Sequence, residues 1–163
     1  MTSSTLLPSY TAFDGHRRLA SGPLATVALA VRQAAGDAMA GTILIFDDAT
    51  GRAIDLDLRG TADDIRARFA PPSGGASVAL RKLVEDARRT HAAADRHRDA
   101  QTRAYHFMSA MAGDLPGFEE AARALYANDP ARLAELVSGW PDDVRDHALA
   151  LARGDLPPSA EDC

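Results

Sequence analysis

The chain has 163 residues, a net charge of −5 and 46% hydrophobic residues, values typical of one ordinary globular domain or two small ones and not of a disordered chain. No apolar run reaches the roughly 20 residues that a membrane-spanning helix needs, and no lysine or arginine precedes Arg17, so we expect neither a membrane span nor a secretory signal. The single cysteine, Cys163, cannot form an internal disulfide, which predicts a cytoplasmic protein.

The N-terminal residues predict a strand pair followed by a helix. Tyr10–Asp14 alternates in the way a short strand does, and Arg18–Ser21 could be its hairpin partner. Apolar residues at helical spacing from Leu24 to Ala35 then predict a helix that ends at Gly36.

A second hairpin and a second helix follow. The continuous apolar run Thr42–Phe46 predicts a buried strand, and a cluster of turn-forming residues comes after it. In Ile54–Leu58 the apolar residues alternate with aspartates, which predicts a partner strand with one face in solvent. Thr61 and Asp64 have the spacing of a capping box and predict a short helix through Phe69.

The chain divides at a stretch rich in proline and glycine. Residues 71–75 predict a linker between an α/β N-terminal domain, residues 1–70, and a helical domain, residues 76–153, with a loose tail at 154–163. The predicted fold class is therefore α+β: a small antiparallel or mixed sheet with two helices, followed by an all-helical C-terminal half.

The helical half is expected to contain one long helix and three short ones. Ser77 is the predicted cap of a helix that extends to about Ala112, and the short helices begin near Pro116, Asp129 and Trp140. Its large side chains are expected to form the core of a helical bundle, although methionine-rich surfaces also suit a groove for a partner helix. These side chains are Phe107, Met108, Met111, Phe118, Tyr126 and Trp140.

Six segments carry residues that are specific in combination. They are Thr11–Gly15, Ser21–Leu24, Phe46–Arg52, Asp55–Gly60, Gly74–Val84 and Phe107–Phe118. Together they resemble a bacterial family of uncharacterised proteins, domain of unknown function 2239, over nearly the whole chain. The resemblance implies no established activity.

The resemblance also implies a departure from the family pattern. Members of the family have an Arg/Pro/Lys-rich stretch and a strand-plus-helix segment before the Gly-Gly-Ala-Ser block, whereas here Phe69-Ala-Pro-Pro leads almost directly into Ser73-Gly-Gly. That segment, together with the residues Ser77–Val84, is similar to a ribbon-helix-helix DNA binder, which reads DNA with its strand. By this resemblance the chain keeps only the second helix, so no base-reading residue can be assigned to it.

Charge is distributed unevenly, with a net +3 over residues 71–113 and −7 over residues 114–163. Basic side chains recur every seven residues in the predicted long helix, and such a stripe could follow a phosphate backbone. The alternative is a solvated helix face whose arginines pair with nearby carboxylates. The candidate nucleic-acid-binding residues are Arg81, Lys82, Arg88, Arg89, Arg96 and Arg103.

Carboxylates are the second group of candidates. Several aspartates could gather at one end of the sheet, where they would suit a hard cation such as Mg²⁺, although their spacing fits no known metal motif and some are ordinary turn residues. These weak metal candidates are Asp14, Asp47, Asp48, Asp55 and Asp57. The histidines form no pair four residues apart and no nucleophile or phosphate-loop motif occurs, so we assign no catalytic residue and no cofactor.

The sequence therefore favours a non-enzymatic binding or regulatory protein that acts on an unknown protein partner or self-associates. One alternative is a nucleic-acid-associated protein that uses the basic helix 77–106. The other is a metal-dependent enzyme that uses the N-terminal carboxylates.

Overall fold

The computed structural model describes residues 8–37, 42–70 and 93–154, and within them the α+β class is confirmed. The predicted linker, the predicted helix start at Ser77, the first part of the long helix and the tail beyond Gly154 lie outside the described residues.

The sheet has four antiparallel strands in the order β2-β1-β3-β4. The strands are β1 Tyr10–Asp14, β2 Arg17–Gly22, β3 Ile43–Asp47 and β4 Arg52–Ile54, so both predicted hairpins are confirmed. In the β1–β3 ladder Thr11 lies opposite Phe46 and Ala12 opposite Ile45. Since successive side chains alternate between faces, Thr11 and Phe46 share one face of the sheet, and Ala12 and Ile45 share the other.

The prediction of a strand over Ile54–Leu58 was wrong beyond its first residue, because β4 ends at Ile54. The chain leaves the sheet there, and the Arg68 guanidinium takes over part of its hydrogen bonding by donating to the Asp57 carbonyl oxygen at 2.6 Å. Leu56 and Leu58 are nevertheless half-buried against the core on the α1 side. The alternating pattern therefore predicted the partial burial of these two leucines correctly, but it did not predict where strand pairing ends.

The described residues contain six helices. They are α1 Leu24–Asp37, α2 Ala62–Phe69, α3 Ala93–Ala112, α4 Phe118–Tyr126, α5 Pro130–Leu136 and α6 Asp142–Arg153. The helix α1 ends one residue later than predicted, and the three short C-terminal helices are confirmed.

Local capping explains where two of these helices begin. The Asp64 backbone N–H donates to the Thr61 hydroxyl at 3.2 Å and the Thr61 backbone N–H donates to the Asp64 carboxylate at 2.8 Å, which is the predicted capping box. The pKa of the Asp64 carboxyl is lowered, mainly by the hydrogen bond that it accepts from the Thr61 backbone N–H. The helix α5 is capped by Asp129, whose side chain accepts from the Arg132 backbone N–H.

The two faces of the sheet pack against different helices. On one face Ala12 and Ile45 form a core cluster with Val27 and Val31 of α1. On the other face Phe13 and Phe46 belong to the same cluster as buried residues of α3–α6. The Phe13, Phe46 and Phe107 rings meet with centroid separations of 4.9–6.1 Å. The sheet and the C-terminal helices therefore share one core, while the division into domains at 71–75 stays a prediction.

The predicted bundle core is confirmed for four of its six residues, since Phe107, Met108, Met111 and Trp140 are buried. Phe118 is only half-buried. The prediction was wrong for Tyr126, which is 53% exposed because it shares a face of α4 with the exposed Glu119 and Arg123. Its ring lies beside the Tyr105 ring on the surface, with centroids 5.6 Å apart.

Across residues 8–37, 42–70 and 93–154, no helix combines the length and the hydropathy that crossing a membrane would require.

The β3–β4 turn is seated directly on α3. Gly51 has a φ of +67°, and a Cβ atom built there would lie 1.8 Å from the Arg103 carbonyl oxygen. The neighbouring Thr50 carbonyl oxygen lies 3.0 Å from Nδ1 of His106. Because a carbonyl oxygen can only accept, Nδ1 must carry the proton in this contact. A glycine is thus required by both the backbone conformation and the approach of the helix.

We expect Gly51→Ala to destabilise the protein far more than Gly15→Ala. Gly15 is the matched control, because its φ of +56° is similar but nothing lies within 4 Å of its Cβ position. The control should lose about 1–2 kcal/mol for the left-handed conformation alone, and Gly51→Ala should lose about 1–3 kcal/mol more for the forced contact. Urea denaturation would measure both, and equal losses would show that the turn does not rest on α3.

Candidate functional site

A buried polar cluster lies where the sheet meets α6. It consists of Ser9, Thr11, Ser21, Asp48 and His147. Asp48 follows β3 in the hairpin turn, and His147 lies on α6. The Asp48 side chain is 0% exposed and the His147 side chain is also fully enclosed, so the hairpin and the helix together close the cluster from solvent.

Two hydroxyl groups, one just before β1 and one in β1, donate to the Asp48 carboxylate. Its Oδ2 atom accepts from the Ser9 hydroxyl at 2.8 Å and from the Thr11 hydroxyl at 3.0 Å, and Thr11 in turn lies 2.9 Å from the Ser21 hydroxyl. Hydrogen bonds to a carboxylate are the stronger, charge-assisted kind. The pKa of the nearby Tyr10 hydroxyl is raised, mainly by burial and further by the Asp47 and Asp48 carboxylates.

The other carboxylate oxygen faces His147. Nε2 of His147 lies 3.2 Å from Oδ1 of Asp48, within ion-pair distance, although neither atom has an aligned hydrogen bond. The two side chains are therefore in close contact without the alignment of a directed hydrogen bond. The imidazole packs edge-on against the rings of Phe13 and Phe107, with centroids 5.5 Å and 4.6 Å away, so the pair is embedded in the aromatic core.

The order of these groups matters for their chemistry. In a serine nucleophile site the histidine stands between the serine and the carboxylate, whereas here the Ser9 hydroxyl donates directly to Asp48. The cluster contains the residue types of such a site, but its serine and histidine contact the carboxylate separately and not one another in series. It is also enclosed in the core. Its arrangement suits a role in joining the sheet to the helices.

A cleft among the C-terminal helices is accessible to solvent. This helical cleft has a volume of about 240 Å³, is open on one side and is bounded by α3, α4, α5 and α6. Its floor is apolar, and its polar side chains come from His97, Gln101, Asn128, Asp129 and Arg153. Gln101 is 8% exposed, and its Nε2 donates to the Leu125 carbonyl oxygen at 2.9 Å.

The candidate carboxylates serve different local purposes. Asp48 is the buried member, the Asp47 side chain accepts from the Ala49 backbone N–H in the turn, and Asp57 lies 3.6 Å from Arg68. Asp14 is half-buried at the end of β1, and Asp55 is exposed. In the part of the chain that the structure describes, no three or more acidic, histidine or cysteine side chains are placed to hold a metal ion.

Only two of the six basic candidates lie in the described residues. Arg96 is exposed near the start of α3, together with His97, Arg98 and Asp99. Arg103 is half-buried, and its Nε donates to the Leu151 carbonyl oxygen at 3.3 Å, at the C-terminal end of α6. The structure therefore separates these two residues: one faces solvent and the other is bound into the fold. Arg81, Lys82, Arg88 and Arg89 lie outside the described residues.

Comparison with known proteins gives one family. The profile of an uncharacterised protein family conserved in bacteria, domain of unknown function 2239, matches residues 9–73 and 69–152. The chain belongs to this family. No curated protein and no solved structure matches it.

The two stretches that match domain of unknown function 2239 meet at residues 69–73. This is the place where the sequence predicts that the family's middle segment is shortened. All residues of the buried polar cluster lie inside the matched stretches, and so do all residues that line the helical cleft except Arg153.

Sequence reasoning missed the partnership of Asp48 and His147. Asp48 was interpreted as a turn residue or a weak metal candidate, and His147 was assigned no role. A signal was present in α6, where His147 lies among Val144, Ala148 and Leu151 on the stripe that is buried. A histidine on such a stripe requires a polar partner in the core, but the sequence gives no means of choosing the partner.

We expect Asp48→Ala to lower the free energy of unfolding by about 3–5 kcal/mol, because it removes the partner of a buried pair and the acceptor of two hydroxyl groups. Asp55→Ala, at an exposed position, should change stability by no more than about 0.5 kcal/mol. Chemical denaturation at neutral pH would measure both variants.

The double variant Asp48→Ala/His147→Ala should lose less stability than the two single losses added together. The shortfall should be about 0.5–3 kcal/mol, since both changes remove the same contact. Strict additivity would show that Asp48 and His147 do not interact in the folded protein.

Proposed function

We propose that this protein is a non-enzymatic binding protein, with a regulatory role in the cytoplasm, and that its ligand occupies the helical cleft. The observation that carries the proposal is the composition of the cleft: an apolar floor, from side chains such as Leu125 and Leu133, under a polar rim. Small-ligand sites in proteins have this construction, in which apolar contact provides affinity and a few polar groups fix orientation.

The distribution of polar groups supports this location. The ionisable groups of the buried cluster are engaged with one another inside the core, whereas the rim residues Asn128, Asp129 and Arg153 are exposed. A ligand approaching from solvent would therefore meet the rim first.

The proposal is tested by filling the cleft. Ala152 lies in the cleft wall and is half-buried, so Ala152→Leu should occupy part of its volume. Ala131→Leu on α5 is the matched control, since Ala131 is exposed and does not line the cleft.

Small organic acids, amines and amides would be titrated into the natural protein and into both variants, with binding followed by ¹⁵N–¹H NMR. At least one chemical class should shift the resonances of Gln101, Asn128 and Arg153 in the natural protein and in Ala131→Leu, and should do so at least about tenfold more weakly in Ala152→Leu. If no class perturbs these resonances in the natural protein, the cleft is not a binding site.

A second candidate function is association with nucleic acid through the basic face of the predicted long helix. It is favoured by Arg96, which is exposed and has no ion-pair partner among the described residues. Its neighbours on the first turns of α3 are exposed as well, so a phosphate backbone could approach this end of the helix.

Charge reversal would test this second function. We expect the double variant Arg89→Glu/Arg96→Glu to abolish salt-sensitive binding to labelled random-sequence duplex DNA, measured by fluorescence anisotropy at low and moderate salt. The control Arg123→Glu/Arg132→Glu has the same change in net charge but alters arginines that pair with glutamates on α4 and α5. Equal loss in both variants would reveal a dependence on net charge alone, and no binding by the natural protein would exclude this function.

A further inference from the structure

The orientation of the Gln101 amide points to a specific ligand group. Its amide faces the Leu125 carbonyl oxygen, which can only accept, so the group in contact must be the NH₂ donor. The other half of the amide, the carbonyl oxygen Oε1, has no hydrogen-bond partner among the described residues and is not sealed from solvent. The cleft therefore contains a fixed acceptor that suits an N–H group of a ligand.

The charge on the rim points to a second group. Arg153 is exposed in the last turn of α6 and has no ion-pair partner within the described residues. Asp129 brings a negative charge to the same rim, but its Oδ1 accepts from the Arg132 backbone N–H at 2.9 Å and caps α5, where the positive end of the helix dipole offsets it. A carboxylate of a ligand would thus find an available guanidinium.

The apolar floor and the small volume of the cleft indicate a third property of the ligand. Leu125 and Leu133 are buried beneath the cleft, and Leu149 and Ala152 are half-buried beside it. The volume of about 240 Å³ lies below the roughly 300–1,000 Å³ of pockets that hold drug-sized ligands, so the cleft suits a group as small as one apolar side chain.

We propose that the helical cleft recognises the C-terminal residue of a peptide chain when that residue is apolar, an inference that rests on the proposed binding function. The apolar side chain packs on the leucine floor, the last amide N–H donates to Oε1 of Gln101, and the terminal carboxylate faces Arg153. Capture of a chain terminus by a few fixed polar groups is a recurrent mode of peptide recognition.

The structure favours a peptide terminus over a free amino acid because the cleft is open on one side, which leaves room for the preceding residues to leave it. Free leucine is therefore included in the test as the competing ligand.

Three probes separate these alternatives: acetyl-Ala-Ala-Leu with a free carboxylate, the same peptide with a C-terminal amide, and free leucine. Their dissociation constants would be measured by ¹⁵N–¹H NMR from the side-chain amide of Gln101 and Nε–H of Arg153. We expect the free carboxylate form to bind about tenfold more tightly than the amide form, as for one hydrogen bond to a charged group, and more tightly than free leucine.

Two variants assign the difference to its cause. Arg153→Gln should remove the tenfold preference for the carboxylate form, and Arg132→Gln should keep it, because Arg132 lies on α5 outside the cleft lining and pairs with Glu135. The spectrum of each variant in the absence of peptide shows whether it is folded.

The outcomes also distinguish this inference from the proposed function. Equal binding of both peptides at the cleft, tighter binding of free leucine, or a preference that survives Arg153→Gln would overturn terminal carboxylate recognition while leaving a binding cleft. The same holds if neither peptide shifts the cleft resonances but other small molecules do. If no probe of any kind shifts the cleft resonances, both the proposed binding function and terminal carboxylate recognition are overturned.

Discussion

The structure depends on how one negative charge is held inside the core where the sheet meets the helices. Asp48 is completely buried, and an isolated carboxylate in such a place would be strongly unfavourable. Two hydroxyl groups from the N-terminal strand region and one histidine from α6 compensate it. Because these groups come from both halves of the chain, they surround Asp48 only when the sheet and α6 are correctly placed against each other.

The surroundings of this pair reinforce the same placement. His147 is packed against Phe13 of β1 and Phe107 of α3, and the hairpin that carries Asp48 continues to Gly51, which touches the α3 backbone. A shift of the hairpin along α3 would therefore separate Asp48 from His147 and also break close packing, which is costly because protein interiors are densely filled. The polar pair and the glycine contact thus constrain one interface in two independent ways.

The parts of the fold that the sequence predicted are those with local causes. The capping residues Thr61 and Asp129, the two hairpins and the apolar helix stripes act within a few residues, so their patterns can be read directly. The errors at Tyr126 and Ile54–Leu58 have tertiary causes, since burial and strand pairing are decided by neighbours distant in the chain. Likewise the hydrogen bond from Arg103 to the α6 terminus joins residues 48 positions apart, and the Asp48–His147 pair spans nearly 100 residues. None of these partners is encoded in a local pattern, and neither is a cleft assembled from four helices.

The interface and the cleft are connected through the two helices they share. On α3, Phe107 lies in the aromatic core and Gln101 in the cleft, and on α6, His147 lies in the core and Arg153 on the cleft rim. Each pair is six residues apart, about 9 Å along a helix at 1.5 Å per residue. Because the core positions fix both helices relative to the sheet, the two polar groups proposed to contact a ligand are carried on elements that cannot rotate independently. Support of this kind fixes the backbone positions from which Gln101 and Arg153 extend, so that less ordering of the helices is required on binding. The contact between Asp48 and His147 thereby helps to place the helices that carry both side chains.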